Sequence, residues 1–272
     1  MRSLYLHELR LNRRVLLSLV GAVGLFTFVM AFLAPSIQDT LSQALKIVPP
    51  ILRPLVGERL QIQGLAGVLS IVYTHPVWLT LVGAWAVGYG AQAIAGDIER
   101  GTMGLTLAYP ITRSQLVAAK ALTLATGILA LVLVTLAATA AGLAAQHTSL
   151  PAGVAGYFWT GIGMLLLFGC IGAVSLACSA LAGVRGTGGT EAGKSLGWAL
   201  AFVVGSYAID ALGQFWKTAE PYRVWSIFKQ YDPRSLLGGT PPTLVAWLYM
   251  GGLIVLGLTA AWVVFNRRDL SL

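Results

Sequence analysis

The sequence predicts an all-α, polytopic membrane protein with six spanning helices, and three observations predict it. Of 272 residues, 57% are hydrophobic and only 10% charged, where soluble domains carry roughly a quarter Asp, Glu, Lys and Arg. Mean hydropathy is +0.77. The charges also cluster, with none between Lys120 and Arg185. Eighteen basic and ten acidic residues cannot coat a water-facing globule of this size. Secreted, disordered and nucleic-acid-binding classes are thereby excluded, despite a formal charge of +8. In so apolar a chain, an excess of Lys and Arg marks loops facing the anionic, cytoplasmic side of a membrane.

Each element follows in chain order. Residues 1–14 carry Leu4, Tyr5 and Leu9 beside four arginines, the pattern of an amphipathic helix lying in the interface. A spanning helix needs about 20 mostly apolar residues, and 15–34 is the first such run. Glu8 in the charged region and the length of that run predict a signal anchor rather than a cleaved signal peptide. Beyond it, 35–70 is extracytoplasmic. There Ile37, Leu41, Leu45 and Val48 recur at helical spacing up to Pro49-Pro50, a surface helix packed on the outer ends of its own bundle.

The second span is placed at 71–95, with His75-Pro76 at its start because Pro suits a first helical turn. Residues 96–117 form a cytoplasmic segment. The remaining spans are 118–145, 157–183, 195–215 and 243–265, with 216–242 outside. Six spans put both termini on one side. That side and its loops hold eleven Lys and Arg against seven opposite, and Arg13-Arg14 and Arg267-Arg268 sit tight against the membrane. Both termini are therefore predicted to be cytoplasmic. Cys170 and Cys178, eight residues apart in one apolar run, lie roughly 12 Å apart along a helix, too far to bridge.

Several motifs resemble catalytic ones without their context. Gly188-Gly-Thr-Glu-Ala-Gly193-Lys194-Ser195 matches the P-loop pattern, whose chemistry requires a strand before it and a sheet holding the loop. Here a membrane span precedes it, so the segment is read as a cap for the fifth span. Ser235-Leu-Leu-Gly-Gly-Thr240 has the letters of an ABC signature loop but falls on the outer side. An intramembrane hydrolase would need a Ser–His pair at depth, for which His75 and Ser175 are the candidates. Asp210 is the one carboxylate placed inside a span. An ionisable residue there is by default a functional candidate, with Tyr207 and Gln214 on its face. Alternatively it is an interfacial Asp satisfied by water or Lys217. Gly197, Ala201 and Gly205 form a small-residue stripe on the fifth span that allows close helix approach.

The most informative segment follows the second span. Ala95-Gly96-Asp97-Ile98-Glu99-Arg100-Gly101-Thr102 leaves the membrane with a charge cluster and a break at Gly101. Thr102 is placed to cap a short helix through Leu107, which Pro110 ends. Thr112 or Ser114 caps the next span, and Arg113 and Lys120 sit at headgroup level. The order of a small residue, an acidic pair, Gly-Thr, an apolar helix, Pro-x-x-Arg and Lys resembles the permease subunits of type-2 ABC exporters. The opening Glu8-Leu-Arg-Leu-Asn-Arg-Arg and the closing Phe265-Asn-Arg-Arg-Asp269-Leu look like that family's ends.

The resemblance implies the type-2 ABC exporter permease fold, in which two permease copies (a homodimer or related heterodimer) pair with separate ABC ATPase subunits. ATP and Mg would bind the ATPase, so this chain would hold no cofactor and would not itself be an enzyme. Asp97, Glu99, Arg100, Gly101, Thr102 and Leu105 would form the ATPase-coupling contact. Gly197, Ala201 and Gly205 would border the dimer axis, and Tyr207, Asp210 and Gln214 would face the translocation route. Residues 216–242 would correspond to a re-entrant hairpin. A route lined by Thr, Ser, Tyr, Trp and aliphatic residues points to a hydrophobic or amphipathic substrate. Partners would be the ATPase, the second permease copy and membrane lipids, with no nucleic acid, in the cell (cytoplasmic) membrane. The competing readings are the intramembrane hydrolase and a non-transporting membrane anchor or sensor subunit.

Overall fold

A computed structural model describes residues 2–47, 64–108, 110–182 and 190–267. They are all-helical, and among the described residues there is no strand. Five helices are long and apolar enough to cross a membrane: α1 (Arg2–Ile47), α6 (Arg113–Ala145), α7 (Gly153–Leu181), α8 (Glu191–Phe215) and α11 (Leu244–Arg267). A sixth crossing is available if α2 (Gly64–Thr74) and α3 (Pro76–Gln92), bent by 50° at His75, are taken as one span. Two short helices follow α3, namely α4 (Ala95–Glu99) and α5 (Thr102–Leu107). A 3-10 turn (Glu220–Trp225), α9 (Ile227–Gln230) and α10 (Pro233–Leu237) connect α8 to α11.

Of the segments 1–14 and 15–34, read as separate elements in the sequence, the described residues 2–34 belong to a single uninterrupted helix. Nothing between Leu11 and Val15 breaks the backbone ladder, since neither Gly nor Pro occurs there. Pro35 lies inside α1 without ending it. Apolar helices tolerate a Pro where neighbouring groups satisfy the freed carbonyl. The 46 residues of α1 span roughly 69 Å, more than twice a hydrocarbon core. The surface helix expected from Ile37 onward is, up to Ile47, part of the same α1, and the part past Ile47 lies outside the described residues.

The α2–α3 bend is local chemistry. His75 is extended (ψ 131) and its Nδ1 accepts the Val77 N–H at 3.2 Å, with Pro76 in the first turn. A capping side chain followed by Pro restarts the helix in a new direction.

The central helix is α7, with 72% of its apolar window buried against 17% for α8 and 22% each for α1 and α11. The outer helices therefore keep broad apolar faces for lipid or another chain. Packing inside the bundle is close enough to require glycine at several positions, of which two show it plainly. A Cβ on Gly127 would fall 2.0 Å from the Trp85 indole nitrogen, which donates to the Leu124 carbonyl at 3.1 Å. A Cβ on Gly257 would fall 2.7 Å from the Ala173 backbone, so α11 lies directly against α7. Buried hydroxyls of α6 return to their own helix, as in Thr123 to Ala119 and Thr139 to Thr135. Tyr73 and Trp78 reach Thr139 and Thr135 across the interface. Such bonds hold helices where lipid supplies no hydrophobic drive.

Candidate functional site

One end of the bundle gathers most of its ion pairs. Gly101 adopts the left-handed conformation (φ 70) between α4 and α5, which a residue with a Cβ enters at a cost. It is the cap position of α5. Thr102, expected to cap, is instead the first residue of the helix, and its hydroxyl donates back to the Asp97 carbonyl at 3.2 Å. The short α4 is held from below by Ser179 on α7, whose Oγ accepts the Ile94 and Ala95 N–H groups at 2.9 Å each. Met103 is buried and anchors α5. Leu105 continues α5, and its side chain lies outside the described residues.

Lys120 is the centre of this end. It is 1% exposed, and its Nζ donates to Asp97 Oδ2 at 2.5 Å and to Glu8 Oε1 at 3.0 Å. Asp97 Oδ1 takes Arg100 at 2.8 Å, and the Tyr89 hydroxyl donates to Glu8 Oε2 at 3.4 Å. Two carboxylates thus face two cations; one ammonium ties α6 to α1 and α4, and Glu8 adds α3 through Tyr89. Burying ions is costly unless each is paired and hydrogen-bonded, and here each is. A polar cavity of 710 Å³ opens beside the cluster between α1, α3 and α4.

Glu99 has a different partner. Its Oε2 accepts the Ala192 N–H at 2.9 Å in the first turn of α8, beside Thr190 Oγ1 accepting from Gly193 N–H at 3.1 Å. A carboxylate and a hydroxyl thus occupy the positive end of α8. This is also the outcome for the P-loop look-alike. Its preceding element is a helix, Lys194 pairs with Glu191 at 3.3 Å, and Ser195 donates to the Ala91 carbonyl at 2.7 Å. The groups a phosphate would need serve the chain's own contacts. Gly188 and Gly189 lie outside the described residues.

Both α1 and the end of α11 reach this end of the bundle. Thr112 and Gln115 form a capping box for α6. Arg113 donates to the Phe265 and Asn266 carbonyls at 3.5 and 3.4 Å, and Ser114 donates to Asn266 at 3.2 Å. Since Glu8 lies at the same place, the start of α1, the end of α11 and the 95–120 segment are neighbours. The partners of Asp97 and Glu99 were not legible in the sequence. Lys120 and Glu8 are distant in the chain, and Ser179 and Ala192 carry no distinguishing signal.

The opposite, distal end holds the route candidates. Asp210 accepts from Gln214 at 2.7 Å and pairs with Arg223, whose Nε and NH2 lie 3.1 and 3.0 Å away. Tyr207 packs edge-on against Phe228, with centroids 5.4 Å apart, rather than bonding Asp210. Gly197 and Ala201 are exposed, and Cβ atoms built at Gly197 and Gly205 meet nothing within 4 Å, so the stripe faces outward. His75 and Ser175 are not brought together. Ser175 lies against Gly90, fifteen residues and roughly 22 Å along α3 from His75, and its hydroxyl donates to the Ile171 carbonyl. In the Ser235–Thr240 segment, Leu236 and Leu237 are buried against α7 at Gly163 and Gly156.

The sequence model of a family described as "ABC-2 family transporter protein" matches residues 3–270. No curated protein matches the chain.

Proposed function

The chain belongs to the ABC-2 transporter family, and from that premise we propose that it is the permease of an exporter driven by a separate ABC ATPase, which holds ATP and Mg. The α4–α5 segment is the coupling element. The observation that carries this is its mounting. Asp97 and Glu99 fasten it to α6, α1 and α8, while Arg100 and Gly101 at its turn stay exposed. A push on that turn is therefore borne by three helices at once, which suits a part that converts ATPase closure into helix tilt. Asp97 and Glu99 transmit, whereas Arg100, Gly101, Thr102 and Leu105 meet the partner.

Two copies pair along the open face of Gly197, Ala201 and Gly205, with Tyr207, Asp210 and Gln214 beside the route. Both termini are cytoplasmic, in the cell membrane, and the cargo is hydrophobic or amphipathic. The test is co-purification with a co-expressed ABC ATPase subunit. Arg100→Glu changes an exposed side chain and should reduce the ATPase recovered and abolish its stimulation by the permease. Full recovery and stimulation in a combined Arg100→Glu/Gly101→Leu variant would refute the coupling assignment.

A further inference from the structure

We infer that the groove between α3 and α8, together with the polar cavity at its distal end, is a single slot that binds a phospholipid with an anionic headgroup. The groove is a 450 Å³ cavity lined by Leu79, Gly83, Val87, Leu200 and Val203, among others, with Thr80 and Tyr207 as its only hydroxyl-bearing walls. It follows α3 from Pro76 to Gly88, a length of about 18 Å. The distal cavity, 750 Å³, is lined by Thr74, Asp210, Arg223, Lys229, Tyr231 and Arg234, among others. Phe228 is a wall of both, so the apolar trough and the polar chamber adjoin at that ring.

The charge in that chamber selects the headgroup. Asp210 is neutralised by Arg223. Asp232 accepts from the Arg234 N–H and the Ser235 hydroxyl. Lys229 and Arg234 are exposed and have no ion-pair partner among the described residues. One net positive charge is left over, matching a phosphodiester. Tyr231 is 5% exposed and its buried hydroxyl has no hydrogen-bond partner. Burial, reinforced by Tyr73 and Asp232 nearby, pushes that phenol well above its ordinary value, so it keeps its proton. An unpaired buried donor is costly, and an acceptor from a ligand removes the cost. An apolar slot capped by cations complements an amphiphile with its chain along α3 and its phosphate at the distal end.

The experiment uses the purified full chain and native mass spectrometry with phosphatidylglycerol, phosphatidylcholine of the same acyl chains, and glycerol phosphate. Phosphatidylglycerol should bind in preference to phosphatidylcholine. Lys229→Glu/Arg234→Glu should weaken it about tenfold or more. Gly83→Leu/Gly88→Leu fills the groove where a Cβ meets nothing within 4 Å, so it leaves the fold intact, as circular dichroism would verify. It should weaken the lipid and leave glycerol phosphate unaffected.

Equal binding of the two lipids, or an unaltered charge variant, overturns the inference. Glycerol phosphate binding with no effect of groove filling would assign a free-anion site instead. A shift from dimer to monomer in the groove variant with lipid binding intact would assign the groove to a second copy of the chain. Each of these outcomes refutes the lipid slot. ATPase co-purification reads the other end of the bundle, so failure of the lipid slot and failure of the permease reading are separately visible.

Discussion

Lys120 holds two carboxylates from different helices at one buried ammonium. Its removal leaves Glu8 without a cation and Asp97 with only the exposed Arg100, and breaking a buried ionic cluster in this way costs roughly 3–5 kcal/mol. Lys120→Met should therefore lower thermal stability markedly in detergent. Adding Glu8→Gln and Asp97→Asn should recover most of the loss, because a neutral, well-packed replacement removes the uncompensated charge. A triple variant as unstable as the single one would show that Lys120 acts through packing alone. Asp210 is milder. Asp210→Asn unpairs Arg223 in a partly buried site, and about 1 kcal/mol is expected, read in the same melting experiment. At this scale the sequence displayed which residues were charged and which turn needed glycine, since composition and backbone preference are local properties. Their partners depend on helices meeting across more than a hundred residues, as Glu8 and Lys120 do.

At the scale of elements, long apolar helices were legible because lipid demands long apolar runs, and each of the six runs overlaps one or more helices. Their junctions were less so. The continuity of α1 through Pro35 depends on tertiary support for a freed carbonyl, which no local pattern announces. The bend at His75 was half legible, since Pro76 marks a first turn, but the His75 cap depends on a backbone already bent. Helix contacts at glycine are similarly silent in a chain with 32 of them. Two give opposite predictions. Gly127→Ala drives a methyl into the Trp85 indole, and overpacking of this kind costs about 1–3 kcal/mol. Gly197→Leu meets nothing within the chain, so the monomer should melt as before while dimer recovery by cross-linking falls. Unchanged cross-linking would move the dimer face off α8.

For the molecule as a whole, the contacts impose a sidedness that charge counting alone approached only through a modest bias. Glu8, Asp97, Lys120, Arg113 and Asn266 meet at one end, whereas Asp210 and Arg223 pair at the other, because α8 starts beside Glu99 and runs the length of the bundle away from it. If the inner side is the one richer in Lys and Arg, the α4–α5 turn must face the cytoplasm and Trp216 must face out. In a background carrying Cys170→Ala and Cys178→Ala, single cysteines at Ala108 and Trp216, both exposed, separate these cases. An impermeant maleimide applied to intact cells should label Trp216→Cys, and should label Ala108→Cys only after the membrane is opened. The reverse pattern would put the coupling turn outside, beyond reach of any ATP-hydrolysing partner, and would refute the proposed coupling to an ATPase while leaving the helical architecture untouched. Labelling of both positions in intact cells would show that the α4–α5 turn and the distal loop share one side. The α8 crossing between them would then have to be abandoned.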